Sequence, residues 1–156
     1  MVLKYNSLRL TLTKEASDSL AAKIAKLIKT PQLVELVGDL GGGKTTFAKS
    51  LGKALGVSQT ITSPTFNIHR SYGFPGGKFE HFDLYRLSDD EIVLNELEDC
   101  LSTDGSVVVV EWAQHFTKNL SDDYLTIEFL YRDEETRDII IVANGPKSQK
   151  IVEDLS

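Results

Sequence analysis

The sequence predicts an α/β fold: a mixed sheet with parallel central strands, antiparallel hairpins extending it, and helices on both faces. Three observations carry that expectation. Val107 to Val110 is an unbroken valine run, the pattern of a strand buried on both faces. Gln32 to Val37, apolar and β-branched, leads into a glycine-rich stretch, after which Phe47, Leu51 and Leu55 recur at helical spacing. Two pairs of alternating segments are each divided by a turn signal, Gly73 to Gly77 in one pair and Arg132 to Glu135 in the other. With 156 residues, one domain over 1–156 is expected. A chain of that size buries roughly 68–70% of its unfolded surface, enough for a core without staples.

The elements follow in chain order. Ser7 to Leu12 alternates as a strand. Lys14 to Lys29 reads as a helix, with Ala16, Leu20, Ile24, Leu27 and Ile28 on one face, Thr13 as N-cap and Pro31 as its stop. The strand from Gln32 and a helix through Leu55 come next, and Gly56 closes that helix as a left-handed cap. Gly52 inside it costs about 0.5–1 kcal/mol against alanine; close packing against the sheet would explain it. Residues 66–72 and 78–85 form a hairpin. Asp89 to Leu101 reads as a helix with Ile92, Val93, Leu97 and Leu101 inward. After the valine strand, Tyr124 to Tyr131 and Asp138 to Ala143 make the last strand pair, and 147–155 a short terminal helix.

Composition excludes several functions. The hydrophobic fraction is 41%, the charged fraction 26% and the net charge −6, an ordinary soluble globule. Such a chain lacks the broad basic surface that grips nucleic acid, so any RNA is expected to be held by another subunit of a complex. Cys100 is the only cysteine, so no internal disulfide forms, a reducing cytoplasm is the expected location, and helix packing is the expected role of that residue. No apolar run is long enough to cross a bilayer and the N-terminus lacks an apolar signal segment, so no membrane partner is expected.

Residues 38–45 read Gly-Asp-Leu-Gly-Gly-Gly-Lys-Thr, a match to G-x-x-x-x-G-K-S/T. This is the phosphate-cradling loop of a P-loop NTPase-like domain, and strand and helix flank it as the motif requires. The residue types follow from the ligand. A polyphosphate is dense in negative charge, so it is best held by backbone N–H groups with no side chains in the way; Gly41, Gly42 and Gly43 permit that nest. The helix beginning near Lys44 adds free N–H groups and its positive dipole end. Lys44 is expected to reach the β- and γ-phosphates, Thr45 to place its hydroxyl on Mg²⁺, and Thr46 to contact the α-phosphate, with Asp39 and Leu40 completing the loop.

Three further segments supply candidates for chemistry. Glu111 closes the valine strand, where a carboxylate holds Mg²⁺ directly or through water, although a strand-end glutamate can also be plain surface. In His81-Phe82-Asp83-Leu84-Tyr85-Arg86, alternation puts Phe79, His81, Asp83 and Tyr85 on one side of a strand. Asp83 can order the attacking water or join the metal's outer shell, or be solvated; Arg86 is a candidate charge stabiliser. In Thr62-Ser63-Pro64-Thr65-Phe66, Pro64 turns Ser63 away from helix, and Thr65 can reach the γ-phosphate or Mg²⁺ as a switch, or be an ordinary loop residue. His69, His81 and His115 do not form a metal-ligand spacing, and no nucleophile elbow appears.

Taken together these four motifs, ending in Glu111-Trp112, resemble the TsaE family (formerly YjeE), over about half of the chain from Glu35 to Gln114. The resemblance implies an ATPase of bacterial tRNA threonylcarbamoyladenosine biosynthesis that acts with the TsaD and TsaB proteins, and reaches tRNA only through them. It implies ATP and Mg²⁺ as cofactors. It assigns Lys44 and Thr45 to phosphates and Mg²⁺, Thr65 to the switch, Asp83 and Glu111 to metal and water, and Trp112 to a place beside the site. Gln114 stands where some relatives carry an acidic residue, so that position receives no role. For the adenine pocket, Thr11 and the turn containing Arg132 and Glu134 are the candidates.

Rival readings remain on the residues alone. A GTPase wants D-x-x-G, but Asp83-Leu84-Tyr85-Arg86 ends in arginine, and N-K-x-D is absent. A small-molecule kinase wants an arginine-rich lid, whereas Arg9, Arg70, Arg86, Arg132 and Arg137 are dispersed. A nucleotide-gated interaction module without turnover fits poorly with intact Lys44, Thr45, Asp83 and Glu111.

Overall fold

The computed structural model describes residues 6–39, 41, 43–64, 67–85, 91–113 and 117–156. The elements are β1 (Ser7–Thr13), α1 (Lys14–Leu27), β2 (Gln32–Gly38), α2 (Lys44–Leu55), β3 (His69–Phe74), β4 (Gly77–Asp83), α3 (Glu91–Leu101), β5 (Ser106–Glu111), α4 (Thr117–Leu120), β6 (Tyr124–Tyr131), β7 (Thr136–Asn144) and α5 (Pro146–Leu155). The strands form one sheet in the order β1-β7-β6-β2-β5-β4-β3. Strands β6, β2, β5 and β4 run parallel to one another, and the pairs β1–β7, β6–β7 and β3–β4 are antiparallel. This is the mixed sheet that the sequence predicts.

Strand alternation divides the core in two. In β5 every residue is buried. Val107 and Val109 pack with Val34, Leu36, Ile24 of α1, Phe47 and Leu51 of α2 and Ile151 of α5. Val108 and Val110 face the other way, onto Leu33, Phe82 and the α3 residues Val93 and Leu97. Helices therefore cover both faces at the parallel centre, and each fully buried leucine, valine or phenylalanine there contributes about 1.5–3 kcal/mol. No helix among the described residues is long and apolar enough to cross a membrane.

Several boundaries differ from expectation, each for a local reason. Helix α1 starts as predicted, the Thr13 hydroxyl oxygen accepting from Ala16 N at 3.2 Å. It stops at Leu27, because Ile28 has already turned to extended backbone on the way to Pro31. The β3–β4 turn is only Pro75-Gly76; Gly73 and Gly77, expected in the turn, pair within the ladder. Strand β3 begins at His69, since Asn67 and Ile68 first fold back on the carbonyl of Pro64 at 2.9 and 2.5 Å; Phe66, the earlier expected start, lies outside the described residues. So does Asp89, the expected start of α3. Ile92, expected inward, is 78% exposed. The buried stripe of α3 runs Val93–Leu97, and Ile92 sits about 100° away from Val93 around the helix. The short α4 carries no apolar periodicity and was not anticipated.

Gly52 is explained. A Cβ there would lie 2.4 Å from Ile61 Cδ1 and 3.0 Å from Phe79 Cε2, so α2 approaches the sheet with no room for a methyl group. Gly52→Ala is expected to lower stability by about 1–3 kcal/mol, overpacking outweighing the gain in helix propensity; a urea unfolding curve with an unshifted midpoint would contradict this.

Candidate functional site

Three strands end together. The end of β2 runs into the glycine loop, β5 ends in Glu111 and β4 ends in Asp83. Register sets their spacing: Glu111 pairs with Leu36 on one side and Asp83 on the other. Residues far apart in sequence thereby meet at the carboxyl edge of the parallel strands, where α/β sheets place ligands.

Glu111 is the best-held side chain of the group. It is 2% exposed. Thr45 Oγ1, in the first turn of α2, donates to its two oxygens at 3.2 and 3.4 Å. From β4, fully buried His81 brings Nε2 to 2.6 Å from Glu111 Oε2. A carboxylate oxygen only accepts, so Nε2 carries the proton. His81 Nδ1 then has no partner among the described residues. Asp83, also buried, accepts from Tyr85 N at 3.0 Å. Sequence reading gave His81 no role; its place on the same strand side as Asp83 was the signal available.

Lys44 is stowed against its own loop. Its Nζ donates to the carbonyl of Gly38 and reaches that of Asp39 at 3.5 Å. It also lies 3.5 Å from the centroid of the Trp112 ring. Burial pushes the ammonium below its ordinary pKa, while the carboxylates of Glu111, Asp83 and Asp39 pull it back up. Among the described residues its direct contacts are neutral carbonyls and a ring rather than a carboxylate, which leaves the charge available to an anion. Gly41 and Gly43 have φ of 74° and 102°, the left-handed conformations the nest requires. Trp112, in turn, has a left-handed φ of 64° and stands against Tyr85, ring centroids 4.9 Å apart. Leu40, Gly42, Thr65, Arg86 and Gln114 lie outside the described residues.

Beside the loop opens a cavity of ≈ 280 Å³, with Lys14, Asp18, Gly41, Thr46, Phe129 and Arg137 among its walls. Thr11, Arg132 and Glu134, the candidates for the base, do not line it. Thr11 donates to Asp138 at 2.6 Å, and Arg9 and Arg132 pair with the same carboxylate at 2.9 and 3.3 Å. Those bonds, Thr11 foremost, hold Asp138 down at about 2. Thr11 and Arg132 thus serve to fasten β1 and the final turn to β7. Lys14 and Asp18 stand one turn apart on α1, Phe129 lies on β6 and Arg137 on β7, so no single sequence motif carries the four.

The oxygen donors of Thr45 and Glu111 stand together at the end of the glycine loop, with Asp83 on the neighbouring strand, a hard-donor set that suits Mg²⁺.

Comparison with known proteins gives a family and a fold. The family model described as "Threonylcarbamoyl adenosine biosynthesis protein TsaE" matches residues 11–139. A Streptomyces coelicolor protein named tRNA threonylcarbamoyladenosine biosynthesis protein TsaE is 40% identical over 111 residues, 69% of this chain and 74% of that one. A Bacillus subtilis protein of the same name is 32% identical over 146 residues, 94% and 91% of the two chains. The crystal structure of Bacillus subtilis YdiB matches with a TM-score of 0.78 at 28% identity, over 96% of this chain and 93% of that one. The fold is that of the P-loop NTPases.

His81→Phe keeps a buried ring but removes the donor to Glu111. Oε2, left with only the 3.4 Å contact from Thr45, is expected to cost about 1–3 kcal/mol, read as a lower midpoint in urea; unchanged stability would show that Glu111 does not depend on His81.

Proposed function

The chain belongs to the TsaE family of threonylcarbamoyl adenosine biosynthesis proteins, and from that premise we propose that it is a single-domain ATPase over residues 1–156. The observation that supports hydrolysis best is the chain of contacts Thr45–Glu111–His81 beside a complete glycine loop. A carboxylate buried and anchored from two elements beside the start of α2 is held in a fixed position, as positioned chemistry at the phosphates requires.

In this reading the N–H groups of the loop 39–43 cradle the phosphates, Lys44 leaves the carbonyls of Gly38 and Asp39 for the β- and γ-phosphates, and Thr46 contacts the α-phosphate. Thr45 and Glu111 would hold Mg²⁺, with Asp83 assisting. Bound Mg²⁺ supplies charge neutralisation on the phosphates. Asp83 orients a water for in-line attack on the γ-phosphorus; the bond to the β,γ-bridging oxygen breaks, ADP leaves, and the water's proton passes to solvent through the carboxylate or the phosphate. Thr65 senses the γ-phosphate. The nucleoside lies in the cavity between Lys14, Asp18, Phe129 and Arg137. The protein acts in the cytoplasm with TsaD and TsaB, and meets tRNA through them.

Binding and chemistry separate by mutation. Lys44→Ala is expected to weaken ATP binding at least about tenfold, the loss of a charge-assisted hydrogen bond. Asp83→Ala and Glu111→Ala are expected to lower turnover while keeping much of the affinity. Calorimetry beside phosphate release checks both, and full turnover in Glu111→Ala would overturn the assignment.

Turnover by the chain alone is expected to be slow. A cationic group brought by a partner to the γ-phosphate is worth about 10³–10⁵ in rate. Phosphate release measured with and without TsaD and TsaB decides the point: equal rates contradict the partnership.

A further inference from the structure

On the opposite face of the sheet, away from the glycine loop, a second group of polar side chains meets. His69 of β3, Glu80 of β4 and Cys100 of α3 each offer one donor atom, and these atoms all lie within 4.8 Å of one another. No sequence spacing joins them, because they come from three elements. We propose that His69, Glu80 and Cys100 form a binding site for a divalent cation of the zinc class.

The donor set is the first argument. A ring nitrogen, a carboxylate oxygen and a sulfur suit Zn²⁺ or Co²⁺, and sulfur is a poor ligand for Mg²⁺. Three protein ligands with an open position are a common arrangement for such ions. At zinc bond lengths, tetrahedral donors lie roughly 3–4 Å apart, so the group needs to contract by only about 1 Å. Rotation of the flexible Glu80 and Cys100 side chains can supply that.

Support around the ligands is the second argument. The His69 ring is stacked on Phe82, centroids 4.0 Å apart and planes 4° apart, so its orientation is fixed. Its Nδ1 stands 2.6 Å from Glu96 Oε1, one turn before Cys100 on α3. That is the carboxylate partner which metal-bound histidines ordinarily have on their other nitrogen. Ser71 Oγ donates to Glu80 Oε1 at 2.8 Å, leaving Oε2, 2.5 Å from His69 Nε2, as the inward oxygen.

The third argument is charge. Glu80 is 6% exposed, yet the group around it holds a second carboxylate, Glu96, with Asp99 close by, against one imidazole. A cation would relieve the excess negative charge. His69 and Cys100 are partly exposed, which leaves a path for an ion.

The test uses the full chain, stripped of metal with a chelator and titrated with Co²⁺ without nucleotide. Cys100 is the only cysteine, so a thiolate-to-cobalt charge-transfer band can arise from nowhere else in the chain. One equivalent of Co²⁺ is expected to raise that band, and Zn²⁺ to bleach it. Cys100→Ser should abolish it and Glu96→Gln weaken the affinity about 10–100-fold. Thr45→Ala should leave the band intact, separating it from Mg²⁺ binding at the loop. A folded wild-type chain with no band at millimolar Co²⁺ overturns the proposal, as does a band unaltered in Glu80→Gln.

Discussion

A carboxylate buried as deeply as Glu111 is tolerable only when its oxygens are hydrogen-bonded. Here the donors come from two different elements, Thr45 on the loop helix and His81 on the neighbouring strand. The requirement ties three parts of the sheet edge to one another: the start of α2, the end of β5 and the body of β4. The loop is set by where α2 begins, and Asp83 by the same strand that carries His81. The placement of Lys44 follows too, since its ammonium lies among carbonyls and beside the ring of Trp112, the residue after Glu111. Disturb the anchoring of Glu111 and the geometry of the whole edge is free to drift.

Much of this was legible along single segments. The glycine loop, the valine strand, the caps Thr13 and Gly56 and the close approach at Gly52 depend on local conformation or on one element's burial, and each left its mark in composition or spacing. What stayed hidden depends on register between elements. The bond from His81 to Glu111 spans 30 positions and exists because β4 and β5 pair as they do. The group His69, Glu80 and Cys100 requires a hairpin and a helix together. The partner of Thr11 and Arg132 was hidden in the same way: both bond Asp138, which the ladder brings beside them. Ile92 shows that a helix of uncertain start leaves the phase of its apolar stripe undetermined.

Strain accompanies the two carboxylates. Among the described residues, Ile68 and Trp112 are the non-glycine residues with left-handed φ. Trp112 directly follows Glu111, and the carbonyl of Ile68 accepts from Asp83 N at 2.8 Å. Each such conformation costs about 1–3 kcal/mol and persists only where neighbours enforce it. For Ile68 the enforcement is its bond back to Pro64. The segment that leads to Thr65 is therefore joined through backbone to Asp83, so a displacement on one side bears on the other.

Strand order has a consequence for biosynthesis. β2 lies between β5 and β6, both of which come later in the chain. A nascent polypeptide that has left the ribosome through α2 carries the entire phosphate motif, yet neither strand that flanks β2 has been made. Such non-local pairing is slow to form and closes long loops before it is rewarded. The cradle is thus translated before the strands that hold β2 in the sheet, and its final shape waits for β5 and β6 to emerge.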